Sequence, residues 1–357
     1  MKKLFAILLC ITLLFMFATA CSSSDDTKAE QTTQEAASEE TALPGSIISV
    51  EPTHADVEFA VAPTFDGEKS LKMNIYSPKN ASEPSPVLLY VHGGAWMIGD
   101  YTLSLSKTGQ YENEQLATIL ALPEKGITVV STGYRLSTEA TFPAQIHDVN
   151  GAIRYLKANA ETYNIDPDRI VIMGESAGAQ LALLSAVSTG VEELEGDIGG
   201  NLEYTSGVIG CIDCYGMTDF TTLAADLYDR TDLLTSAEVY ALVDAPNSSR
   251  SVLFGLTDEN GGLGVVLASP GKYADEIALV KLGSPIFHVT SDDPPIFIAN
   301  GNKDPRVPAA QAQKMFDALT KEGVEAHLFI NSEAGHGDLG PMINSAMCEF
   351  LYKVFGM

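Results

Sequence analysis

A Gly-x-Ser-x-Gly pentapeptide at residues 174–178 constrains the fold more than any other stretch of the chain. The β-branched run 170–172 before it predicts a short buried strand, and the alanine-rich run 179–187 after it predicts a helix. A tight turn between a strand and a helix that nearly touch needs small residues around its serine. Such a turn lifts the Ser176 hydroxyl clear of the backbone and points the helix N-terminus at it. The pattern predicts a serine nucleophile, and the alternative is a tight turn with an inert serine.

Strand and helix patterns alternate on both sides of this turn. Residues 56–61 and 71–76 alternate in polarity and predict an antiparallel hairpin. Further apolar runs predict buried strands, and these lie at 87–91, 127–131, 208–212, 296–300 and 326–330. Helical patterns separate most of them, including one predicted helix over 144–163. This order predicts an α/β fold with a mainly parallel sheet, and the polar, glycine-rich residues 218–284 predict an insertion or cap.

The six histidines are the candidates for the base that takes the serine proton. His336 alone lies on a small-residue loop after the last predicted strand, between two glycines. Asp304 follows the preceding predicted strand and is the candidate carboxylate that fixes the histidine tautomer. The rival carboxylates either precede their strand or lie very close to His336, and they are Asp292, Asp293 and Asp338. We therefore predict a catalytic group of Ser176, Asp304 and His336.

A glycine loop follows the buried strand at 87–91, where residues 92–96 read His-Gly-Gly-Ala-Trp. Backbone N–H groups of such a loop are suited to bind a developing oxyanion. We predict an oxyanion hole made by the N–H groups of Gly94, Ala95 and Ala177. Every candidate comes directly after a strand, and the carboxyl ends of parallel strands are where active residues gather. The pattern predicts acyl transfer through an acyl-serine intermediate.

The N-terminal residues indicate a targeting segment rather than a part of the folded domain. Two lysines, an apolar run over 4–17 and small residues before Cys21 form a secretory signal at 1–20. The cysteine after the small residues resembles a bacterial lipobox, which implies lipid attachment to its sulfur, and the alternative is an ordinary signal peptide. Residues 21–43 predict a flexible linker, because residues 22–42 are polar and have no large apolar side chain. We predict a folded domain over 44–357, held outside a bacterial cell membrane by its anchor alone.

The composition and the spacing of single residue types limit the kinds of partner and cofactor that the chain can bind. The formal net charge of -26 argues against nucleic acid as a partner. The sequence has no His-x-x-x-His spacing and no phosphate-binding loop, so we predict neither a metal nor a cofactor. Cys211 and Cys214 lie in a predicted strand, where residues three apart face opposite sides. We therefore expect two buried free thiols rather than a disulfide or a shared metal ligand pair.

From about residue 56 onward the chain resembles α/β-hydrolases of the HGG-containing esterase group. That group includes hormone-sensitive-lipase-like carboxylesterases and bacterial acetyl-xylan and feruloyl-type esterases. The matching segments are 92–96, 134–136, 142–144, Asp148, 174–178, 284–285 and 301–308. The resemblance implies an eight-stranded sheet, a structural Asp148 that braces a loop, and hydrolysis of short acyl esters, including acetyl esters on carbohydrates. Residues 304–308 with Gln311 are closer to the carbohydrate-esterase-like branch, while Ala95 stands where the usual loop has a third glycine.

Other functions stay open at this stage. A long-chain lipase is disfavoured because no long apolar lid segment is apparent. A peptidase or formamidase uses the same triad. A surface lipoprotein that binds a glycan or small ligand without turnover is the alternative from a different class, and the intact triad argues against it. The sequence leaves the acyl length, the alcohol and the oligomeric state undetermined.

Overall fold

The structure is a computed structural model that describes residues 51–103 and 114–357. The predicted signal at 1–20, Cys21 and the linker at 21–43 lie outside the described residues. Among the residues that are described, no helix combines the length and the apolar character that a membrane crossing would need.

Within these ranges eight strands form one sheet in the order β1-β2-β4-β3-β5-β6-β7-β8. Their bounds are β1 His54–Thr64, β2 Gly67–Tyr76, β3 Ser85–Val91, β4 Thr128–Thr132, β5 Ile165–Glu175, β6 Gly210–Cys214, β7 Ile296–Gly301 and β8 Ala326–Asn331. Strands β1 and β2 form the predicted antiparallel hairpin, and β2 also pairs antiparallel with β4. The other neighbours are parallel, which confirms the predicted mainly parallel α/β sheet.

Helices connect the strands and cover the sheet. Their bounds are α1 Glu114–Leu120, α2 Ala144–Ala158, α3 Ala160–Tyr163, α4 Ala177–Val187, α5 Glu192–Glu195, α6 Leu223–Tyr228, α7 Ser236–Val239, α8 Ser249–Leu253, α9 Gly262–Ala268, α10 Ala274–Leu282, α11 Ala309–Lys321 and α12 Pro341–Phe355. The single helix predicted over 144–163 was wrong, since it is interrupted at Asn159. The Asn159 side chain donates a hydrogen bond to the Tyr155 carbonyl (2.9 Å) and caps the end of α2.

The sheet has an apolar core on each face. Alternate residues of the central strand β5 supply the two cores, with Ile172 on one side and Met173 on the other. Cys211 packs in the first core and Cys214 in the second, and both thiols are free and buried. The expectation of two unpaired thiols on opposite faces of β6 is confirmed.

The segment 218–284 lies between β6 and β7 and folds as a chain of short helices, α6 to α10. The sequence predicted an insertion or cap there but not this series of helices. Helices of four to nine residues span too few turns to display a helical period. Buried apolar side chains of this cap, among them Leu253 and Val266, pack into the same core as the α4 side of the sheet.

Candidate active site

Ser176 stands at the junction of β5 and α4 in a strained conformation, with φ 54° and ψ -116°. The flanking glycines explain why the chain can turn so sharply. A Cβ atom at residue 174 would lie 2.2 Å from the Gly178 carbonyl carbon. A Cβ atom at residue 178 would lie 2.1 Å from the Val91 carbonyl oxygen on the neighbouring strand. The Gly-x-Ser-x-Gly spacing is therefore a packing requirement of this turn.

The structure brings the three predicted residues into one hydrogen-bonded chain. The Ser176 Oγ lies 2.8 Å from the His336 Nε2, and the His336 Nδ1 lies 2.7 Å from the Asp304 Oδ2. Ser176 follows β5, Asp304 follows β7 and His336 follows β8. These strands are neighbours or near neighbours, and their carboxyl ends meet at one edge of the sheet.

Asp304 is fixed from both sides. Its side chain is fully buried, and its Oδ1 accepts hydrogen bonds from the backbone N–H groups of Arg306 (2.7 Å) and Val307 (2.9 Å). Its other oxygen is left for His336. The loop geometry thus holds the carboxylate in one orientation and places one oxygen against the imidazole.

Two rival groups have other partners. Asp338 accepts a hydrogen bond from the Gly340 N–H (2.9 Å), just before α12 begins. His92 donates from Nδ1 to the Gly93 carbonyl (2.7 Å) and stacks on Tyr134, with ring centroids 4.3 Å apart. Burial lowers the pKa of His92 to about 4, so its ring stays neutral at physiological pH. His92 braces the backbone of its loop.

The predicted oxyanion loop has an unusual backbone. Gly94, Ala95 and Trp96 all have positive φ angles, 110°, 55° and 58°, and two of the three carry side chains. The Gly94 carbonyl accepts hydrogen bonds from the N–H groups of Met97 (3.0 Å) and Ile98 (3.1 Å), which closes the turn. Within residues 51–103 and 114–357, the N–H groups of Gly94, Ala95 and Ala177 donate to no other residue.

Trp96 ties this loop to the helix behind the nucleophile. Its ring is fully buried, and its Nε1–H donates to the Gln180 Oε1 on α4 (3.1 Å). The Gln180 Nε2 donates in turn to the Gly283 carbonyl at the end of the cap (2.8 Å). A chain of two hydrogen bonds therefore connects the glycine loop, the elbow helix and the cap.

A pocket of about 370 Å³ opens onto Ser176 and His336. Its wall includes the glycine loop, the apolar side chains of Trp96 and Met217, and two arginines, Arg250 and Arg306. Sequence reasoning missed Arg250, because it lies on a five-residue helix of the cap with no pattern that marks it. Arg306 lies in the same loop as Asp304, and this position next to a predicted site residue could have marked Arg306 as part of the pocket wall.

Two tyrosines surround the acid that precedes the nucleophile. Glu175 is buried, and burial of Tyr90 and Tyr215, together with the charge of the Glu175 carboxylate and their hydrogen bonds to it, raises the pKa values of both tyrosines well above their ordinary value. The Tyr215 ring stands edge-on to the His336 ring, with centroids 4.8 Å apart. Tyr215 therefore packs against His336 and limits its movement, a role that no sequence pattern suggested.

Asp148 has the structural position implied by the resemblance. Its carboxylate forms a buried ion pair with the Arg135 guanidinium (2.6 Å) and accepts the Arg135 backbone N–H (2.7 Å). Arg135 follows β4, so the pair fixes the loop after that strand against α2. In the described part of the chain, no group of three or more histidine, cysteine, aspartate or glutamate side chains is placed to hold a metal ion.

Comparison with known proteins identifies relatives of this fold. The sequence pattern of the BD-FAE family matches residues 73–319. Esterase LipQ of Mycobacterium tuberculosis is 30% identical over 280 residues, which cover 76% of this chain and 56% of LipQ. Isoprenylcysteine alpha-carbonyl methylesterase ICME of Arabidopsis thaliana is 27% identical over 270 residues, covering 75% of this chain and 54% of ICME. The chain thus spans about half the length of these curated relatives.

A solved structure extends the similarity to three dimensions. The truncated form of a carbohydrate esterase from gut microbiota superposes with a TM-score of 0.65 and 26% sequence identity. The matched region covers 85% of this chain and 95% of that structure. The eight-stranded sheet and its flanking helices are therefore shared with an enzyme of closely similar extent.

Proposed function

Since the chain belongs to the BD-FAE family of α/β-hydrolases, we propose that it is a serine esterase that cleaves short-chain carboxylic esters. The observation that carries this proposal is the hydrogen-bonded chain from Asp304 through His336 to Ser176. The two distances and the burial of Asp304 support the roles of nucleophile, base and orienting carboxylate for these residues.

Acylation begins when the Ser176 Oγ attacks the ester carbonyl carbon and His336 takes the hydroxyl proton at Nε2. The Asp304 carboxylate accepts the hydrogen bond from Nδ1–H and stabilises the imidazolium that forms. The imidazolium then gives its proton to the leaving alcohol as the acyl-serine forms. Water attacks the acyl carbonyl in a second step, again with His336 as the base, and releases the acid.

The negative oxygen of each tetrahedral intermediate is bound by the N–H groups of Gly94, Ala95 and Ala177. Two observations support this role: the first two residues line the same pocket as Ser176, and Ala177 begins helix α4. Each such donor contributes roughly 2.7–4 kcal/mol in the transition state. The positive φ of Ala95 is a local strain that the buried Trp96 holds in place.

We propose carbohydrate esters, acetyl esters among them, as the substrate class. The gut-microbiota carbohydrate esterase supports this proposal, because it is 26% identical in sequence to this chain and the match covers 95% of its structure. The pocket volume of about 370 Å³ favours a small acyl group, since ligand pockets range over about 300–1,000 Å³.

We further propose that Cys21 carries a lipid, which would hold the enzyme at the outer side of a bacterial cell membrane. The support is the apolar run, the small residues before Cys21 and the polar linker after it. Cells given labelled palmitate would incorporate the label into the wild-type chain and not into Cys21→Ser. Labelling of the Cys21→Ser protein, or no labelling of the wild type, would contradict lipid attachment at Cys21.

The esterase proposal is tested with p-nitrophenyl esters from acetate to palmitate. We expect fast turnover of the short esters by the wild-type protein and none above background by Ser176→Ala. The matched control is Ser345→Ala, an exposed serine of α12, which should retain activity. A serine-reactive phosphonate should label Ser176, as shown by peptide mass spectrometry.

The outcomes separate the alternatives. Equal rates above background for the wild type and Ser176→Ala would exclude Ser176 as the nucleophile. Background rates for both would favour ligand binding without turnover. Faster hydrolysis of an acetanilide than of the matched phenyl acetate would indicate an amidase of the peptidase or formamidase kind. Release of acetate from acetylated xylo-oligosaccharides would support a carbohydrate substrate.

A further inference from the structure

Arg250 is a buried cation that none of the catalytic steps uses. Its side chain is 5% exposed, although it lies on the short cap helix α8. It donates to the carbonyls of Leu242 (3.3 Å) and Arg306 (3.2 Å) and to the Ser249 hydroxyl (3.2 Å). Its Nε–H has no partner, although the atom is buried. A guanidinium has five N–H donors, so part of its hydrogen-bonding capacity is unused.

No carboxylate compensates this cation directly. Among the described residues, neither Arg250 nor Arg306 forms an ion pair. Burial and the nearby Arg306 lower the pKa of Arg250 to about 10, and Asp304 acts in the opposite direction. Asp304 itself is engaged by His336 and by two backbone N–H groups. A buried charge without an opposite charge to pair with is costly, so such a group in a native protein calls for an explanation.

The two guanidinium groups share one pocket with the nucleophile. Arg250 and Arg306 both line the cavity of about 370 Å³ that also contains Ser176 and His336. Arg306 is exposed, and within the described ranges its guanidinium forms no hydrogen bond. One arginine comes from the cap and the other from the catalytic aspartate's loop, so the fold brings them together from two separate segments.

Acidic groups also face this pocket, and they leave the arginines available. Glu175 lines it, but its carboxylate is hydrogen-bonded by Tyr90 and Tyr215. Asp338 lines it from the exposed side and accepts the Gly340 N–H. Both acids have partners other than the arginines, and the chain as a whole is strongly acidic. A positive site inside such a protein is suited to select one anionic group rather than to attract anions generally.

We propose that Arg250 and Arg306 form an anion subsite, so that the preferred substrates are esters that carry a carboxylate near the scissile bond. The inference rests on the proposed esterase function and narrows its substrate class. The carboxylate belongs either to the acyl group, as in a hemiester of a dicarboxylic acid, or to the alcohol, as in an acylated uronic acid. Guanidinium groups bind carboxylates through paired hydrogen bonds, which fixes the substrate as well as holding it.

Two matched pairs of substrates distinguish these sources. Monoethyl succinate against ethyl butyrate places the charge on the acyl side. An O-acetylated methyl glucuronide against the corresponding acetylated methyl glucoside places the charge on the alcohol side. We expect the full-length wild-type protein to favour the charged member of one pair by roughly 10- to 100-fold in kcat/KM, the effect of a charge-assisted hydrogen bond.

The variants are Arg306→Gln and Arg250→Met, with Arg169→Gln as the matched control. Arg169 is a half-buried arginine that pairs with Asp166 and does not line the pocket. We expect both pocket variants to reduce the charged-to-neutral ratio by roughly tenfold, and the control to retain it. Arg306 is exposed, so Arg306→Gln decides the question if Arg250→Met fails to fold. Added salt should also reduce the ratio, because Arg306 is open to solvent.

The possible results separate this inference from the proposed function. Hydrolysis of the neutral esters with no preference for a carboxylate in either pair would overturn the anion subsite alone. A preference that survives in both pocket variants would also overturn it. If no ester is hydrolysed, the esterase proposal fails, and calorimetric binding of methyl glucuronide, methyl glucoside, succinate and butyrate to Ser176→Ala then tests the subsite. Equal binding within each matched pair would overturn the subsite in that case.

Discussion

Replacing Asp304 by asparagine isolates the orientation of the base from every other part of the site. Two backbone N–H groups, those of Arg306 and Val307, point at the Oδ1 of Asp304. An asparagine in the same position places its amide oxygen there, because an NH₂ group cannot accept those hydrogen bonds. Its NH₂ group then faces the His336 Nδ1, which lies 2.7 Å from the Asp304 Oδ2.

The tautomer of His336 follows from this arrangement. Its Nδ1 has to accept from the amide, so the ring carries its proton on Nε2, the atom that faces the Ser176 Oγ at 2.8 Å. A protonated Nε2 cannot take the serine proton. The same change in a serine protease triad lowers kcat by about 10⁴-fold, which corresponds to about 5.5 kcal/mol of transition-state free energy.

The assay measures kcat and KM on a short p-nitrophenyl ester for Asp304→Asn, together with its thermal unfolding. We expect kcat to fall by about 10³- to 10⁴-fold, with little change in KM and with the fold retained, because the size of the side chain is unchanged. The control is Asp338→Asn, the rival carboxylate nearest to His336 in sequence. Asparagine there can still accept the Gly340 N–H, and we expect a loss of less than about tenfold. An equal loss in both variants, or a small loss in Asp304→Asn, would refute the assignment.

Three further predictions concern stability. Gly178→Ala should lower the free energy of unfolding by about 3 kcal/mol or more, because its Cβ would lie 2.1 Å from the Val91 oxygen. The control Gly271→Ala has open space around it and should stay within about 1 kcal/mol of wild type in urea unfolding. Equal losses in the two variants would contradict the packing argument. Burial raises the pKa of Asp213 to about 7, so the folded state binds more protons than the unfolded state between about pH 4 and 7 and loses stability as pH rises through that window. Asp213→Asn should keep the Gly216 N–H bond and remove about 3 kcal/mol of that loss between pH 5 and 8; an unchanged profile would show that Asp213 is charged throughout. Arg135→Met should cost about 3–5 kcal/mol in unfolding free energy because it strands the buried Asp148 carboxylate, and replacing Asp148 by leucine as well should recover most of it, whereas no recovery would place the loss elsewhere.

Much of this site was predictable because its residues follow strands. Each of the three residues Ser176, Asp304 and His336 follows an apolar run that predicts a strand. Because parallel strands end at one edge of the sheet, residues that follow such strands lie close together in the fold. The glycine spacing around Ser176 was predictable for a similar reason, since it reflects local packing of a strand against a helix.

The cap and the pocket wall were less predictable. Arg250 lies on a helix of five residues, too short to show a period, and its burial depends on contacts with residues 242 and 306. Tyr215 reaches His336 because it turns through a positive φ of 51° at the end of β6, which its residue type does not suggest. Such features depend on tertiary contacts, and one sequence does not display them.

The hydrogen bonds from Trp96 to Gln180 and from Gln180 to Gly283 also set the order in which the site can be completed. They join residues 84 and 103 positions apart, and the serine meets its base across 160 positions. On a ribosome, where the chain appears from its N-terminus, Ser176 emerges long before His336, the residue that we propose as its base. Contacts so distant along the chain form late and close together in time. The proposed hydrolytic activity therefore requires nearly the whole domain to have folded, and a growing chain that lacks His336 should not cleave esters.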